Sequence, residues 1–329
     1  MTPAPRLPLA GPDQPAPALF DDPAAAVARI GEIYRNSVDF LRARFAAALA
    51  GGALEARYRA TYPEVRLTTT SHAEIDSRLS FGHVTEPGTY ATTLTRPDLF
   101  ARYLETQIGL LIRNHGVPVE VRASDVPIPI HFAVADGEAA AMPRDGGAGF
   151  NLRDHFDVPR LEALNDDIVN GTAVRAPGAP RPLAPFTAPR IDYSLARLRH
   201  YTGTGPEDFQ NFILFTNYQF YVDEFLAHAR RMLGEADSGY VELVGPGGRI
   251  RAPDAPLPDP ERLPQMPAWH LRRPGRDGIT LINIGVGPSN AKTITDHVAV
   301  LRPHAWLMVG HCAGLRNSQR LGDYVLAHG

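Results

Sequence analysis

The stretch ITLINIGVGPSNAKTITDHVAVLRPHAWLMVGHCAGL, residues 279–315, indicates the fold of the second half of the chain. Its first six residues, 279–284, are short, apolar and β-branched in character, which predicts a buried strand. Gly285 and Gly287 follow at once. Because glycine adopts positive φ at no steric cost, they predict a tight turn at the end of this strand.

A helix is predicted after this turn. Ser289 or Asn290 can cap its first turn, and apolar residues at helical spacing form one stripe along it. Pro303 ends the helix. Residues 305–309 are a second apolar run, which stops at Gly310. A strand, a turn, a helix and a strand in this order predict a βαβ unit with a parallel pair of strands.

The parallel arrangement predicts a crevice. Both carboxyl ends of a parallel pair lie on one edge of the sheet, so the loops 285–290 and 310–314 should open together, where open α/β sheets bind ligands. N–H groups at the start of the helix would face an anion there. The turn is neither a G-x-G-x-x-G fingerprint, since Asn290 takes the third glycine position, nor a P-loop. A lone Gly-x-Gly turn is equally compatible with a plain tight connection.

Composition limits the class of protein. The chain has 329 residues, enough for two domains, with 44% hydrophobic and 21% charged residues and a net charge of −3. This charge gives no basic footprint for nucleic acid, and no apolar run approaches the roughly 20 residues that span a bilayer. The start of the chain has no apolar signal-peptide core. Cys312 is the single cysteine, which fits a reducing cytoplasm.

The domain organisation follows from proline and from pattern. Residues 1–20 are rich in proline and alanine and predict a disordered tail. Residues 21–188 mix helices and strands in α+β fashion, with an extended segment predicted at 127–133 and a surface loop at 136–149. A proline-dense stretch at 174–190 marks the boundary. Residues 189–329 then form a second, α/β domain.

The second domain contains another strand–turn–helix unit. Residues 212–215 are strictly apolar and predict a strand. Thr216, Asn217 and Tyr218 form the turn after it, and a helix follows. A final strand is predicted over 322–327.

Several long blocks, in order along nearly the whole chain, resemble the bacterial AMP nucleosidases, which belong to the purine nucleoside phosphorylase and nucleosidase superfamily. The blocks in the second half are RHYTGTGPEDFQNFILFTNYQFYVDEF, VGPSNAKTITDH, GHCAGL and GDYVLAHG. Those in the first half are TYPEVRLTTTSHAEIDSRLSFGHVTEPGTY and IRNHGVPVEVRASDVPIPIHF.

This resemblance implies a fold and an activity. It implies an N-terminal regulatory-type α+β domain at 21–188, and at 189–329 a nucleoside phosphorylase-like catalytic α/β domain with a mixed, partly parallel sheet. The implied reaction is hydrolysis of the N-glycosidic bond of AMP to adenine and D-ribose 5-phosphate, in purine salvage and AMP catabolism. It also implies no cofactor, ATP and inorganic phosphate as effectors, and a cytoplasmic homo-oligomer, specifically a hexamer.

The resemblance also assigns residues. The substrate-binding candidates that match the family's loops are Thr216, Asn217, Tyr218, Gly285, Gly287, Ser289, Asn290, His311, Cys312, Ala313 and Gly314. The related phosphorylases often carry an arginine a few residues after the first turn, where this chain has Gln219, Phe220 and Tyr221. The family's general acid is expected beyond Gly329, so this chain is expected to lack the C-terminal part of the catalytic domain and to be inactive alone.

The sequence is compatible with two alternatives: phosphorolysis on the same fold, and a non-catalytic nucleotide-binding regulatory protein. Lys292 and Arg316 are candidate phosphate neighbours, whereas Asp296, His297 and Asp323 are more simply solvated or structural. Arg66, Arg78, Arg96, Arg113 and Arg122 are the scattered cations that an effector could use in the first domain. The histidines show no metal-ligand spacing, so no metal is predicted.

Overall fold

The computed structural model describes residues 7–70, 72, 82–134, 151–311 and 313–323. The chain divides into two compact units, Met1–Ala196 and Arg197–Gly329. The division falls a few residues after the predicted boundary at 188. It lies inside one helix, Ala188–Thr202, which begins directly after the proline-dense stretch.

The first unit is built on a five-stranded sheet. The strands of the unit, two of which lie outside this sheet, are β1 (Leu9–Ala10), β2 (Ala18–Phe20), β3 (Arg57–Tyr58), β4 (Thr61–Thr69), β5 (Gly88–Thr93), β6 (Val119–Pro127) and β7 (Arg181–Pro182). Its helices are α1 (Pro23–Leu49), α2 (Pro97–His115), α3 (Ile130–Ala133), α4 (Leu152–His155) and the start of α5 (Ala188–Thr202), with a 3-10 turn at Leu161–Ala163. The sheet order is β2–β6–β4–β5–β7, while β1 and β3 form a separate parallel pair. Only the β5–β7 contact in the larger sheet is parallel.

Helix α1 provides much of the core of this unit. Asp22 caps it, since its carboxylate accepts a hydrogen bond of 2.9 Å from the N–H of Ala25, and Pro23 occupies the first turn as predicted. The apolar stripe of α1, including Leu41 and Phe45, packs in one buried cluster with Tyr62 of β4. Burial of one such side chain contributes about 1.5–3 kcal/mol.

Two predictions in the first unit were wrong. Residues 7–20 are not a disordered tail, because β1 pairs with β3 and β2 pairs with β6. Residues 130–133 are helical and not extended. Pro129 precedes α3 with extended φ and ψ, and the N–H of Ile130 is satisfied by the carbonyl of Asp157 at 2.9 Å. The loop predicted at 136–149 lies outside the described residues, as do Arg78, Cys312 and most of the strand predicted over 322–327.

The second unit carries a six-stranded mixed sheet in the order β10–β9–β11–β12–β8–β13. The strands are β8 (Phe212–Thr216), β9 (Glu242–Gly245), β10 (Gly248–Ile250), β11 (Ala268–Arg272), β12 (Ile279–Asn283) and β13 (Ala305–Val309). The helices are the end of α5, α6 (Gln219–Gly234) and α7 (Pro288–Val298), with 3-10 turns at Pro274–Arg276 and Ala299–Leu301. Strands β12, β8 and β13 are parallel, and the β10–β9–β11–β12 contacts are antiparallel. The predicted α/β class with a mixed, partly parallel sheet is therefore confirmed.

One feature of this sheet corrects the predicted βαβ unit. Strands β12 and β13 are not neighbours, because β8 lies between them and pairs with both. A hydrophobic pattern predicts that a segment is a strand, but it does not say which strand lies next to it. The parallel direction was predicted correctly, and it is direction that places the loops.

Helix α6 covers β9, β11 and β12. Its buried residues Val222, Phe225 and Ala229 pack with Leu243, Leu271 and Leu281 of those strands, in a cluster that also contains Trp269. This packing fixes the start of α6 at the edge of the sheet where β8 ends. Within the described ranges, no helix is long and apolar enough to cross a bilayer.

Candidate active site

Three strand ends meet at one edge of the second unit's sheet, which we call the carboxyl rim. Asn283 at the end of β12 and Val309 at the end of β13 both pair with Thr216 at the end of β8. Neighbouring strands are about 4.8 Å apart, so the outer two ends are separated by roughly 10 Å. The loops 285–290 and 310–314 therefore leave the same edge of the sheet, as predicted.

The turn after β8 occupies the middle of the rim. The buried hydroxyl oxygen of Thr216 accepts a hydrogen bond from the N–H of Tyr218 at 3.2 Å, and its carbonyl accepts one from the N–H of Ile284 at 2.8 Å. The side-chain oxygen of Asn217 is buried, and no described group donates a hydrogen bond to it. This turn joins the two flanking loops and leaves one acceptor unpaired.

The loop after β12 has the backbone that its glycines predict. Gly285 has φ 65° and Gly287 has φ 116°. Residues other than glycine rarely adopt these positive φ values. Asn283 Oδ1 accepts a hydrogen bond of 3.1 Å from the N–H of Gly285. Asn290 Nδ2 donates to the carbonyl of Ile284 at 3.0 Å. The loop is thus braced by two asparagines.

The predicted cap of the following helix was wrong. Helix α7 begins at Pro288, Gly287 is its N-cap, and no side chain caps it, because Asn290 bonds back to the loop and Ser289 lies within the first turn. The N–H groups of Ser289 and Asn290 have no acceptor among the described residues. They are the donors that an anionic group at this end of the helix would meet.

An aromatic cluster stands at the rim between α6 and the loop after β13. The ring of His311 lies 4.8 Å from that of Tyr218 and 5.4 Å from that of Tyr221, measured between centroids. The hydroxyl of Tyr221 is 3.0 Å from Nε2 of His311. Phe220, which is 59% exposed, packs edge-on against Tyr221.

Sequence reasoning missed Tyr221 as a site residue. Its place on an amphipathic helix favoured packing, and helical spacing alone does not show that its hydroxyl reaches His311. The available signal was the pair Tyr218 and Tyr221, three residues apart at the start of a helix that leaves a strand end.

A cavity of about 550 Å³ adjoins the rim on the side of β12, β11 and β9. Trp269, Asn283 and Gly285 line it, and the proline-rich segment 257–264 forms its outer wall. Arg230 of α6 holds the residues just before this segment, through bonds of 2.7 Å from Nη1 to the carbonyls of Pro253 and Ala255. The space is large enough for a nucleotide-sized ligand.

The remaining candidates are placed less favourably. Lys292 and Asp296 pair with each other on α7. His297 is buried and stacks on Tyr201 at 6.0 Å. The segment 313–323 is exposed, and its hydrogen bonds from the N–H of Arg316 to Gln319 and from that of Arg320 to Asp323 are local. Ala313 and Gly314 are therefore near the rim in sequence, but no hydrogen bond or ring contact among the described residues joins them to it.

One strongly perturbed ionisable group of this unit is His270, in the middle of β11. Burial lowers its pKa to about 3. Its ring lies between the hydroxyls of Thr204 and Thr280, each at 2.8 Å, which one neutral imidazole satisfies with one donor and one acceptor. It is a structural histidine. In the described parts of the chain, no group of three or more His, Cys, Asp or Glu side chains could hold a metal ion.

One protein family and several known proteins are similar to this chain. The family model for the N-terminus of bacterial AMP nucleoside phosphorylase matches residues 25–180. AMP nucleosidases from Escherichia coli K12 and O157:H7 are each 43% identical over 318 residues, which is 93% of this chain and 65% of the relative. The chain thus spans 65% of the length of these curated relatives. A solved AMP nucleosidase structure from Bacteroides thetaiotaomicron is 28% identical to this chain, with a TM-score of 0.29. The match covers 40% of this chain and 45% of the solved chain.

Proposed function

We propose that this chain, a member of the bacterial AMP nucleosidase family, acts on AMP at the carboxyl rim. The proposed reaction is hydrolysis of AMP to adenine and D-ribose 5-phosphate. The 43% identity over 93% of the chain supports the substrate. The observation that carries the location is the convergence of β8, β12 and β13 on one edge, with a nucleotide-sized cavity beside it.

The chemistry of this reaction sets what the rim must do. Cleavage of an N-glycosidic bond passes through a ribosyl cation, so the site must hold the phosphate, stabilise the cation and present a water. The unpaired N–H groups of Ser289 and Asn290 suit the 5′-phosphate. The electron-rich faces of Tyr218 and Tyr221 suit the cation. These groups follow β12 and β8, whose ends are neighbours at the carboxyl rim.

The direct test is incubation of the chain with AMP and chromatography of the products. Adenine and ribose 5-phosphate are the expected products, with ribose 5-phosphate formed even when inorganic phosphate is absent. Their release would correct the expectation that the chain is inactive alone. Splitting that requires inorganic phosphate would indicate phosphorolysis instead. AMP binding without adenine release would indicate a non-catalytic nucleotide-binding protein. Either result would replace the proposal.

A matched pair of histidines tests the location. His311 and His304 lie at opposite ends of β13, and His304 contacts only Phe212 among the described rings. His311→Ala should lower kcat/KM by about tenfold or more, as expected for loss of a positioned polar group at the reacting centre. His304→Ala should leave kcat/KM unchanged. Equal effects of the two substitutions would remove the rim from the proposal.

We extend the proposal to effectors and assembly. ATP and inorganic phosphate are proposed to act on the first unit, with no cofactor needed, in a cytoplasmic homo-oligomer that serves purine salvage and AMP catabolism. Kinship supports these points, and hexamer formation is the specific expectation. Calorimetry with ATP and sedimentation velocity on the chain test them independently of the reaction.

A further inference from the structure

Two side chains with spare hydrogen-bonding capacity flank Gly310 at the carboxyl rim. Asn217 Oδ1 is buried without a donor, and it lies 3.4 Å from the point where a Cβ on Gly310 would stand. The ring of Tyr218 comes within 3.7 Å of the same point. His311 is the next residue along the chain, and its Nδ1 has no partner among the described residues. A buried acceptor without a donor calls for a water or a ligand group.

The His311 ring is held by two tyrosines. Tyr218 packs on it edge-on, with an angle of 61° between the rings, and Tyr221 bonds to Nε2 at 3.0 Å. A phenol hydroxyl both donates and accepts. Tyr221 can therefore keep its bond to Nε2 whether that nitrogen carries a proton or not, and the ring keeps its orientation while Nδ1 gains or loses a proton.

We propose that Asn217 Oδ1 and His311 Nδ1 hold the water that attacks C1′ of AMP, and that Tyr221 is the positioning residue for His311. The inference rests on the proposed hydrolysis. The C1′–N9 bond breaks and its electron pair leaves with adenine, which takes a proton from solvent. The water oxygen bonds to C1′, one water proton passes to His311 Nδ1 and then to solvent, and the Nε2 proton is donated to the Tyr221 oxygen throughout.

The imidazole of His311 is a weak general base, and a weak base is sufficient for this step. A ribosyl cation is strongly electrophilic, so the water needs a fixed position more than it needs deprotonation before attack. Two acceptors define that position, because a water donates two hydrogen bonds and leaves its lone pairs for C1′. The burial of Asn217 Oδ1 keeps competing bulk water away from it.

The test compares two identical chemical changes. Tyr221→Phe removes the hydroxyl and keeps the ring, and it should lower kcat by about tenfold or more with KM within roughly twofold. Tyr240→Phe is the control, because Tyr240 stacks under Arg273 at 4.2 Å and takes no part in the rim. Added methanol competes with water for C1′, and the ratio of the two products would not change if Tyr221 had only a structural role. A loosened water site should raise the share of methyl ribose 5-phosphate among the products in Tyr221→Phe and not in Tyr240→Phe.

The outcomes separate the inference from the proposed function. Unchanged kcat and unchanged methanol partition in Tyr221→Phe, with an active wild-type chain, overturn the inference and leave AMP hydrolysis standing. Absence of adenine release from the wild-type chain overturns both. As a measurement that does not use the rate, ¹⁵N spectra of the His311 ring should respond to AMP in the wild-type chain and should show a changed tautomer ratio in Tyr221→Phe. A ring indifferent to AMP and to the substitution also overturns the inference.

Discussion

Asp192 of α5 is a carboxyl group placed where water does not reach it. It accepts hydrogen bonds from the hydroxyls of Tyr62 at 2.6 Å and Thr95 at 2.7 Å, and it is 5% exposed. Burial raises its pKa to about 7, against the opposing effect of these two bonds. Two hydroxyl donors offset only part of the cost of burying an unpaired charge.

A pH dependence of stability follows. Since the pKa is raised in the folded state, the native protein holds this proton more tightly than the unfolded chain does. The resulting stabilisation is complete below about pH 4 and is lost as the pH rises through about 7. Its size is on the order of 4 kcal/mol, at about 1.4 kcal/mol for each pKa unit. Denaturant unfolding of Asp192→Asn should therefore show a smaller fall in the free energy of unfolding between pH 4 and 7.

The exposed Asp39 of α1 is the matched control for this measurement. Asp39→Asn should keep the wild-type slope of stability against pH. If Asp192→Asn also keeps that slope, ionisation of Asp192 does not cause the pH dependence of stability, and the proposed effect of its burial is wrong.

The turn before α7 depends on its glycines. Gly287 has φ 116°, so Gly287→Ala should cost about 1 kcal/mol or more in stability and should weaken AMP binding, because the N–H groups behind it would move. Gly234→Ala in α6 is the contrasting change. Its Cβ would meet Pro253 at an ordinary 3.7 Å, and helix propensity favours alanine by up to about 1 kcal/mol. Thermal melts with and without AMP should show opposite signs for the two.

Local sequence pattern predicts some features of the fold and of the site and leaves others undetermined. The glycine turn and the direction of the strands follow from local pattern, because positive φ and strand polarity are local properties. The place of β8 between β12 and β13 does not, since any buried apolar strand satisfies either neighbour. The pairing of Tyr221 with His311 joins residues 90 positions apart and depends on that strand order. The helix at 130–133 depends on a hydrogen bond to Asp157, which no local pattern contains.

Strand β13 is the edge of the second unit's sheet within the described residues. It pairs with β8 on one side, and Trp306, Leu307 and Met308 are each about half exposed, at 47%, 55% and 50%. A flat apolar edge with unpaired N–H and C=O groups is a template for pairing with another chain. We therefore expect the isolated chain to self-associate or to dissolve poorly at high concentration.

A charge on the strand should suppress this association. Leu307→Lys places an ammonium group on the edge, where it opposes strand addition, and should lower the weight-average mass in sedimentation velocity at high protein concentration. Leu315→Lys introduces the same charge at a residue that is 94% exposed but outside any strand, and it should change the mass little. The comparison distinguishes pairing at the edge from a general effect of charge on solubility. A sharp, cooperative melt of a monomeric wild-type chain at high concentration would show that β13 does not recruit a partner.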